Sequence, residues 1–254
     1  MTRRVALITG ASSGIGAEFA RQLAGRGYDL VLSARRTERL AELGAQLEAS
    51  RGVRCESLTA DLSEETGIAS VESRLRSGGI DLLVNNAGFG IGSEFSDANL
   101  DGQQAMVSVH VVAPMRLMHA ALPSMLERGS GGVINVASLA AFVSLPGNAS
   151  YSATKAYLMR LSRSVHFEVR GRGVTVQALC PGFTVSEFHD SQARAAQAPR
   201  PPRFLMGPAS AVVRDSLRAF ESGASLCVPG WINKVAYWTA KLGVADAVIP
   251  HIVR

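Results

Sequence analysis

A short apolar run at residues 4–9 opens directly into Thr9-Gly10-Ala11-Ser12-Ser13-Gly14-Ile15-Gly16, and a helical pattern starts at residue 14. A glycine-rich turn wedged between a strand and a helix leaves few folds open. Glycines at 10, 14 and 16 allow a tight turn, close approach of the backbone to a bound group, and close packing of helix on sheet. The first helical turn then offers N–H groups and a positive dipole end, which suits a pyrophosphate. Glycine spacing alone is a weak signal; its place in the first strand–helix unit gives it weight. We therefore expect Gly10, Ser12, Ser13, Gly14, Ile15 and Gly16 to form a dinucleotide site. The plainer alternative is a turn that only packs.

The same unit recurs along the chain. Apolar, β-rich runs at about 4–9, 28–34, 53–59, 80–84, 132–137, 174–180 and 224–228 alternate with helical patterns. The helices are expected at about 14–26, 37–50, 63–76, 101–128, 151–171, 208–222 and 231–248. This alternation predicts a single-domain α/β fold, a Rossmann-type doubly wound parallel sheet of about seven strands with helices on both faces. The 254 residues fit one large domain, with 1–137 mainly dinucleotide-binding and 138–254 catalytic and substrate-binding. Residues 187–207, with Pro199, Pro201 and Pro202, follow the sixth strand at the carboxyl edge of the sheet. We expect a lid there, or simply a long loop.

Composition excludes more than it assigns. Hydrophobic residues at 47% and charged residues at 19% are those of a folded globular protein. The first apolar run is too short to span a membrane, and we expect no signal peptide. Cys55, Cys180 and Cys227 are odd in number, far apart and without ligand spacing, which predicts thiols in a reducing, cytoplasmic compartment. The net charge of +5 is spread along the chain and would attract an anionic cofactor, but no basic-aromatic stripe suggests nucleic acid. Coenzyme choice falls at the end of the second strand, Leu32-Ser33-Ala34-Arg35-Arg36. An NAD site would normally place an acid there for the ribose 2′-hydroxyl. Ala34 followed by Arg35 and Arg36 favours a 2′-phosphate, hence NADP(H) over NAD(H). Otherwise the two arginines merely cap a strand end in solvent.

Residues 151–155 read Tyr-Ser-Ala-Thr-Lys, and Ser138 ends the apolar run thirteen residues earlier. A tyrosine with an ordinary pKa of about 10 is a poor acid or base at neutral pH. Lys155, one helical turn away, is expected to favour the phenolate and lower that pKa. Ser138 beside the phenol would share a substrate oxygen with it. Ser138, Tyr151 and Lys155 together would suit general acid/base work on a carbonyl–alcohol pair.

With these motifs in order along nearly the whole chain, the sequence resembles the short-chain dehydrogenase/reductase family. The resemblance rests on the glycine turn, Asp61-Leu62, Asn85-Asn86-Ala87-Gly88, the serine, tyrosine and lysine, and Pro181-Gly182. It implies hydride transfer between nicotinamide C4 and a carbonyl carbon, with Ser138 holding the carbonyl oxygen and Tyr151 moving its proton. Lys155 would lower the tyrosine pKa and hold the nicotinamide ribose. Asp61, Leu62, Asn86, Ala87 and Gly88 would lie near the adenosine. Pro181 and Gly182 would pack on the nicotinamide, and Thr184 and Ser186 would bind its carboxamide. The resemblance also implies a homodimer or homotetramer through the fifth and sixth helices.

One departure stands out. His110, in Val107-Ser108-Val109-His110-Val111-Val112-Ala113-Pro114, occupies the place of an asparagine that in the family helps hold a helix distortion and a proton-relaying water. A histidine there could keep a hydrogen bond, relay protons itself, or simply pack. We expect the relay. His119, His166, His189 and His251 lack partners at ligand spacing, so no metal is expected. Phe142, Val143 and Leu145 before Tyr151, with Phe183, Phe188, His189 and Phe204 around the lid, suggest an apolar pocket for a hydrophobic small molecule. In the tail, Trp231, Val235, Trp238 and Leu242 share a helical face that could seal the pocket, join copies, or lie on a membrane surface. A reading from another class is a dinucleotide-binding sensor or scaffold with little turnover.

Overall fold

The structure, a computed structural model, describes residues 3–144, 146–185 and 206–242. Strands form at Val5–Thr9 (β1), Asp29–Ala34 (β2), Cys55–Thr59 (β3), Leu82–Asn85 (β4), Gly131–Val136 (β5), Val174–Leu179 (β6) and Leu226–Cys227 (β7). All pair in parallel, in the order β3-β2-β1-β4-β5-β6-β7. Helices are Gly14–Ala24 (α1), Thr37–Arg51 (α2), Glu65–Arg76 (α3), Leu100–Val107 (α4), Ala113–Arg128 (α5), Ala149–Val169 (α6), Ala209–Glu221 (α7) and Trp231–Lys241 (α8). The expected doubly wound α/β fold is observed. The chain leads outward from β1 to β3, returns to β4, and runs on to β7. The loops after β1 and β4 therefore diverge and leave a crevice at the carboxyl edge of the sheet.

Both faces of the sheet are covered, which is why apolar residues of the central strands run consecutively rather than at alternate positions. On β1, Ala6 and Ile8 point into a core with Phe19 and Leu23 of α1 and Val213 and Leu217 of α7. Leu7, between them, joins the opposite core with Ile68 and Leu75 of α3 and Leu117 and Met125 of α5. Arg116 of α5 clamps α3, donating to both Glu72 (3.0 and 2.7 Å) and Glu65 (2.7 and 2.6 Å). A buried polar staple crosses the sheet: Asn85 donates to Asn135 Oδ1 (2.8 Å), Asn135 to Ser162 Oγ (2.8 Å), and Ser162 to the Leu158 carbonyl (2.6 Å).

Two elements differ from expectation. The stretch 101–128 is not one uniform helix: a π turn at Ser108–Val112 separates α4 from α5. Pro114 has no N–H to give the carbonyl four residues back, and the Ala113 N–H reaches instead to Ser108, five residues back. The seventh strand, expected at 224–228, is only Leu226–Cys227, the two residues in register with Ala178 and Leu179 of β6. Leu100–Arg128 is long and apolar enough to cross a membrane by length and composition, but half of its apolar window is buried inside the protein.

Candidate active site

A cleft of about 830 Å³ runs along the carboxyl edge from the glycine turn to α8. At its first end the turn is built for close contact. Gly10 and Gly14 have φ of 66° and 56°, where a side chain is strained. A Cβ on Gly16 would lie 2.2 Å from the Gly10 carbonyl oxygen, and one on Gly10 would lie 2.8 Å from Ala87 Cα. The turn is braced from β4. Asn86 Nδ2 donates to the carbonyls of Thr9 (2.9 Å) and Gly10 (3.2 Å), while Thr9 Oγ1 accepts the N–H groups of Asn86 (3.0 Å) and Ala87 (3.1 Å). No carboxylate stands in the first turn of α1, so nothing competes there with an anion. Ile15 and Leu62 line the same end.

Both arginines after β2 turn toward this site. Arg36 donates to the hydroxyls of Ser12 (3.0 and 3.2 Å) and Ser13 (2.9 Å), which fixes the guanidinium over the glycine turn. Arg35 pairs with Asp61 at 3.7 Å. Burial alone would raise the Asp61 carboxyl, but the N–H and hydroxyl of Ser63 and the Arg35 guanidinium outweigh it and hold it below the usual range. Neither the Arg36–serine contacts nor the Arg35–Asp61 pair has a signature in sequence spacing, because each joins separate βα loops that only the sheet brings together.

At the other end, α6 begins at Ala149, so Tyr151 and Lys155 share one face a turn apart. Ser138 starts a 3₁₀ turn, Leu139–Phe142; its hydroxyl accepts the Ala140 N–H at 3.1 Å and shares a hydrogen bond with the Tyr151 phenol. Lys155 is 4% exposed; its ammonium donates to the Val136 carbonyl at 3.0 Å and stands 5.7 Å from the Tyr151 ring centroid. The electrostatics correct one expectation. Burial pushes the Tyr151 phenol up to about 12, against the pull of the Ser138 hydrogen bond, and it pushes Lys155 down to about 8. Desolvation disfavours the charged form of each, and a lysine anchored to a backbone carbonyl does not offset it. Tyr151 is therefore held as the neutral phenol.

His110 lies in the middle of the π turn, 1% exposed and edge-on to the Tyr151 ring at 5.6 Å. Its Nε2 accepts the Phe89 N–H at 3.1 Å, and its Nδ1 lies 3.1 Å from Thr154 Oγ1. A Cβ on Gly88 would sit 2.8 Å from that Nε2. Nothing in the spacing of the chain marks Phe89 or Thr154 as partners, although Pro114 does mark the distortion.

Beyond β6, Pro181 accepts the Leu139 N–H at 2.9 Å, and the Thr184 hydroxyl donates to the Gly182 carbonyl at 3.1 Å. Gly182 lies against α8: a Cβ there would meet Asn233 Oδ1 at 2.2 Å. Val185 and Phe183 pair with Gly207 (3.0 and 2.9 Å), closing the stem of the segment expected as a lid. Ser186, Phe188, His189 and Phe204, most of that lid, Leu145 and the end of the 231–248 helix lie outside the described residues. On α8, Ile232, Asn233, Ala236 and Ala240 face the cleft, and Tyr237 packs edge-on against Phe142 at 4.8 Å. Trp231, Val235, Trp238 and Leu242 point the other way, into solvent. The cleft wall is largely apolar, with Phe89, Leu139, Phe142, Val143 and Ile232.

Among the described residues no group of three or more His, Cys, Asp or Glu could hold a metal. The three cysteines are free, and burial raises their thiols to about 11 for Cys55 and Cys227 and about 12 for Cys180.

A family model described as short chain dehydrogenase matches residues 4–197. A very-long-chain 3-oxoacyl-CoA reductase from Laccaria bicolor is 31% identical over 251 residues, 97% of this chain and 74% of that protein. A short-chain dehydrogenase from Sphingobium yanoikuyae, solved in complex with NADPH, superposes with a TM-score of 0.85 at 33% identity, covering 97% of this chain and 95% of that one. A bulky-bulky ketone specific alcohol dehydrogenase from Comamonas testosteroni gives a TM-score of 0.81 at 31% identity, covering 96% and 94%.

Proposed function

The chain belongs to the short-chain dehydrogenase family of oxidoreductases, and from that premise we propose that it interconverts a hydrophobic carbonyl compound and its alcohol with NADP(H) as the preferred coenzyme. The observation that carries this reading is the Ser138–Tyr151 hydrogen bond at one end of a cleft whose other end is the glycine turn under Arg36. The residues fit a dinucleotide. Gly10 and Gly16 let the turn close against its own backbone and Asn86 and Ala87, where a Cβ would clash, and the first turn of α1 opens onto the cleft with no carboxylate in it. Arg35 and Arg36 together favour a further phosphate over a bare 2′-hydroxyl, and the NADPH-bound relative supports the same choice.

When bound, the nicotinamide supplies the hydride. The chain supplies position and a proton. Ser138 and Tyr151 would grip the substrate oxygen between two hydroxyls, and the neutral phenol would donate its proton to that oxygen in the reducing direction. Lys155, buried beside the ring, would keep positive charge where negative charge develops. The apolar wall from Phe142 to Ile232 would exclude water and select a bulky, uncharged substituent. Exposed Met115, Tyr157 and Phe167 on α5 and α6 support a homodimer or homotetramer through those helices.

The test is oxidation of NADPH and NADH by the purified protein over a panel of hydrophobic aldehydes and ketones. We expect turnover with NADPH well above that with NADH, and an Arg35→Ala/Arg36→Ala variant that loses about 10-fold or more of that preference. Preference for NADH, unmoved by the arginine variant, would overturn the coenzyme assignment.

A further inference from the structure

We propose that His110 is a positioning residue held as its neutral Nδ1–H tautomer, one link in a directional hydrogen-bond chain that fixes the first turn of α6, and that it relays no proton. The inference deepens the reading of Tyr151 as the acid/base and rests on it.

The direction of the chain is set at both ends by groups that have no choice. A backbone N–H only donates, so Nε2 must accept from Phe89 at 3.1 Å and carry no hydrogen. A backbone carbonyl only accepts, so Thr154 must spend its hydroxyl hydrogen on the Tyr151 carbonyl at 2.8 Å. The Thr154 oxygen is left as an acceptor, and the contact at 3.1 Å requires the hydrogen on Nδ1. The order is therefore Phe89 N–H to His110 Nε2, His110 Nδ1–H to Thr154 Oγ1, and Thr154 O–H to the Tyr151 carbonyl. Both imidazole nitrogens are committed. Neither can take up a proton or release one without breaking a buried hydrogen bond.

The surroundings reinforce the neutral form. His110 is buried in the π turn. The titratable groups facing it are Lys155 and Tyr151, both on α6. The loop at Gly88 and Phe89, the ends of β1 and β4 at Thr9 and Asn85, and α5 at Pro114 bring no charge to it. Desolvation and the nearby ammonium of Lys155 both hold the ring well below the ordinary histidine range. What the residue does instead is mechanical. It joins the loop after β4, the π turn and the start of α6 through one continuous set of hydrogen bonds. The Tyr151 carbonyl at the end of the chain belongs to the residue whose phenol must be aimed at substrate.

The test reads the histidine directly, in protein labelled with ¹⁵N-histidine and ¹³C-tyrosine. Long-range ¹H–¹⁵N spectra are expected to show His110 as the neutral Nδ1–H tautomer from pH 5 to 9, with and without NADPH. Titration within that range, or the Nε2–H tautomer, would overturn the assignment. Thr154→Val removes the middle link at nearly constant volume. It is expected to shift the Tyr151 ring signal while leaving those of Tyr28, Tyr157 and Tyr237 in place, and to lower kcat roughly 10- to 100-fold with an unchanged KM for NADPH. Thr154→Ser should restore both. An unmoved Tyr151 signal with wild-type kcat in Thr154→Val would refute the positioning role. If no carbonyl compound is turned over at all, the functional reading fails while both spectroscopic arms still decide the role of His110.

Discussion

Tyr151 shows how the environment of one side chain selects a direction of chemistry. Its phenol, raised to about 12 by burial, keeps its proton throughout the neutral range, and the protonated phenol is the form that can supply a proton to a carbonyl oxygen as hydride arrives at its carbon. Lys155, lowered to about 8, is charged below that pH and loses its charge above it. The signs follow. Carbonyl reduction should be flat from about pH 6 to 7.5 and fall as pH rises through about 8, where the lysine titrates. Alcohol oxidation needs the phenolate and should climb with pH across the whole range. Rate profiles of kcat/KM in both directions check this, and a reductive limb titrating with a phenol near pH 7 would contradict it. The sequence made the identity of these residues legible and their electrostatics illegible. Spacing puts Lys155 beside Tyr151, but only the fold reveals that both are desolvated and that the ammonium is anchored to Val136. His110 illustrates the same divide, since its tautomer depends on Phe89 and Thr154, which are distant in sequence.

Elements carry the next layer of specification, and their loss should be read as stability or coenzyme binding rather than chemistry. The Asn85–Asn135–Ser162 staple ties β4, β5 and α6 where no solvent can replace a missing partner. Asn135→Ala removes the acceptor of the Asn85 amide while Ser162 keeps its bond to the Leu158 carbonyl, and it should cost about 1–3 kcal/mol, measured by urea unfolding. Wild-type stability in that variant would show that the staple is energetically neutral. Gly16→Ala places a carbon 2.2 Å from a backbone oxygen, so the turn itself must move. We expect a lower Tm and at least about 10-fold weaker NADPH binding by titration, whereas a neutral Gly16→Ala would remove the packing argument for the turn. Most element positions were readable because apolar runs and glycines punctuate the chain. The π turn is not legible in the apolar pattern of 101–128, which an extra residue per turn leaves nearly unchanged; only the family resemblance at His110 pointed to a distortion there. Pro114 was the available signal.

At the scale of the whole molecule, sheet order does what no local segment can. It brings the β1 turn, the arginines after β2, Asn86 after β4, Ser138 after β5 and Gly182 after β6 to one edge. The alternation of strands and helices made that convergence predictable, because strands of a parallel sheet all end at one edge, where ligands bind in this architecture. It did not reveal how α8 would lie: the cleft is walled by Ile232, Asn233 and Ala236, while the tryptophan face on which the sequence reading concentrated is turned to solvent, with Trp231 75% exposed. In the proposed reaction hydride would pass from a nicotinamide bound at this edge to a carbonyl carbon while Tyr151 protonates the oxygen. The deciding experiment supplies NADPH carrying deuterium at both C4 positions of the nicotinamide with a hydrophobic ketone and locates the label in the alcohol, for the wild type and for Tyr151→Phe. We expect deuterium on the carbinol carbon and a loss of roughly 10²- to 10⁴-fold in rate, with NADPH binding retained, in the variant. Label absent from the carbinol carbon, or a Tyr151→Phe protein that turns over like the wild type, would contradict it.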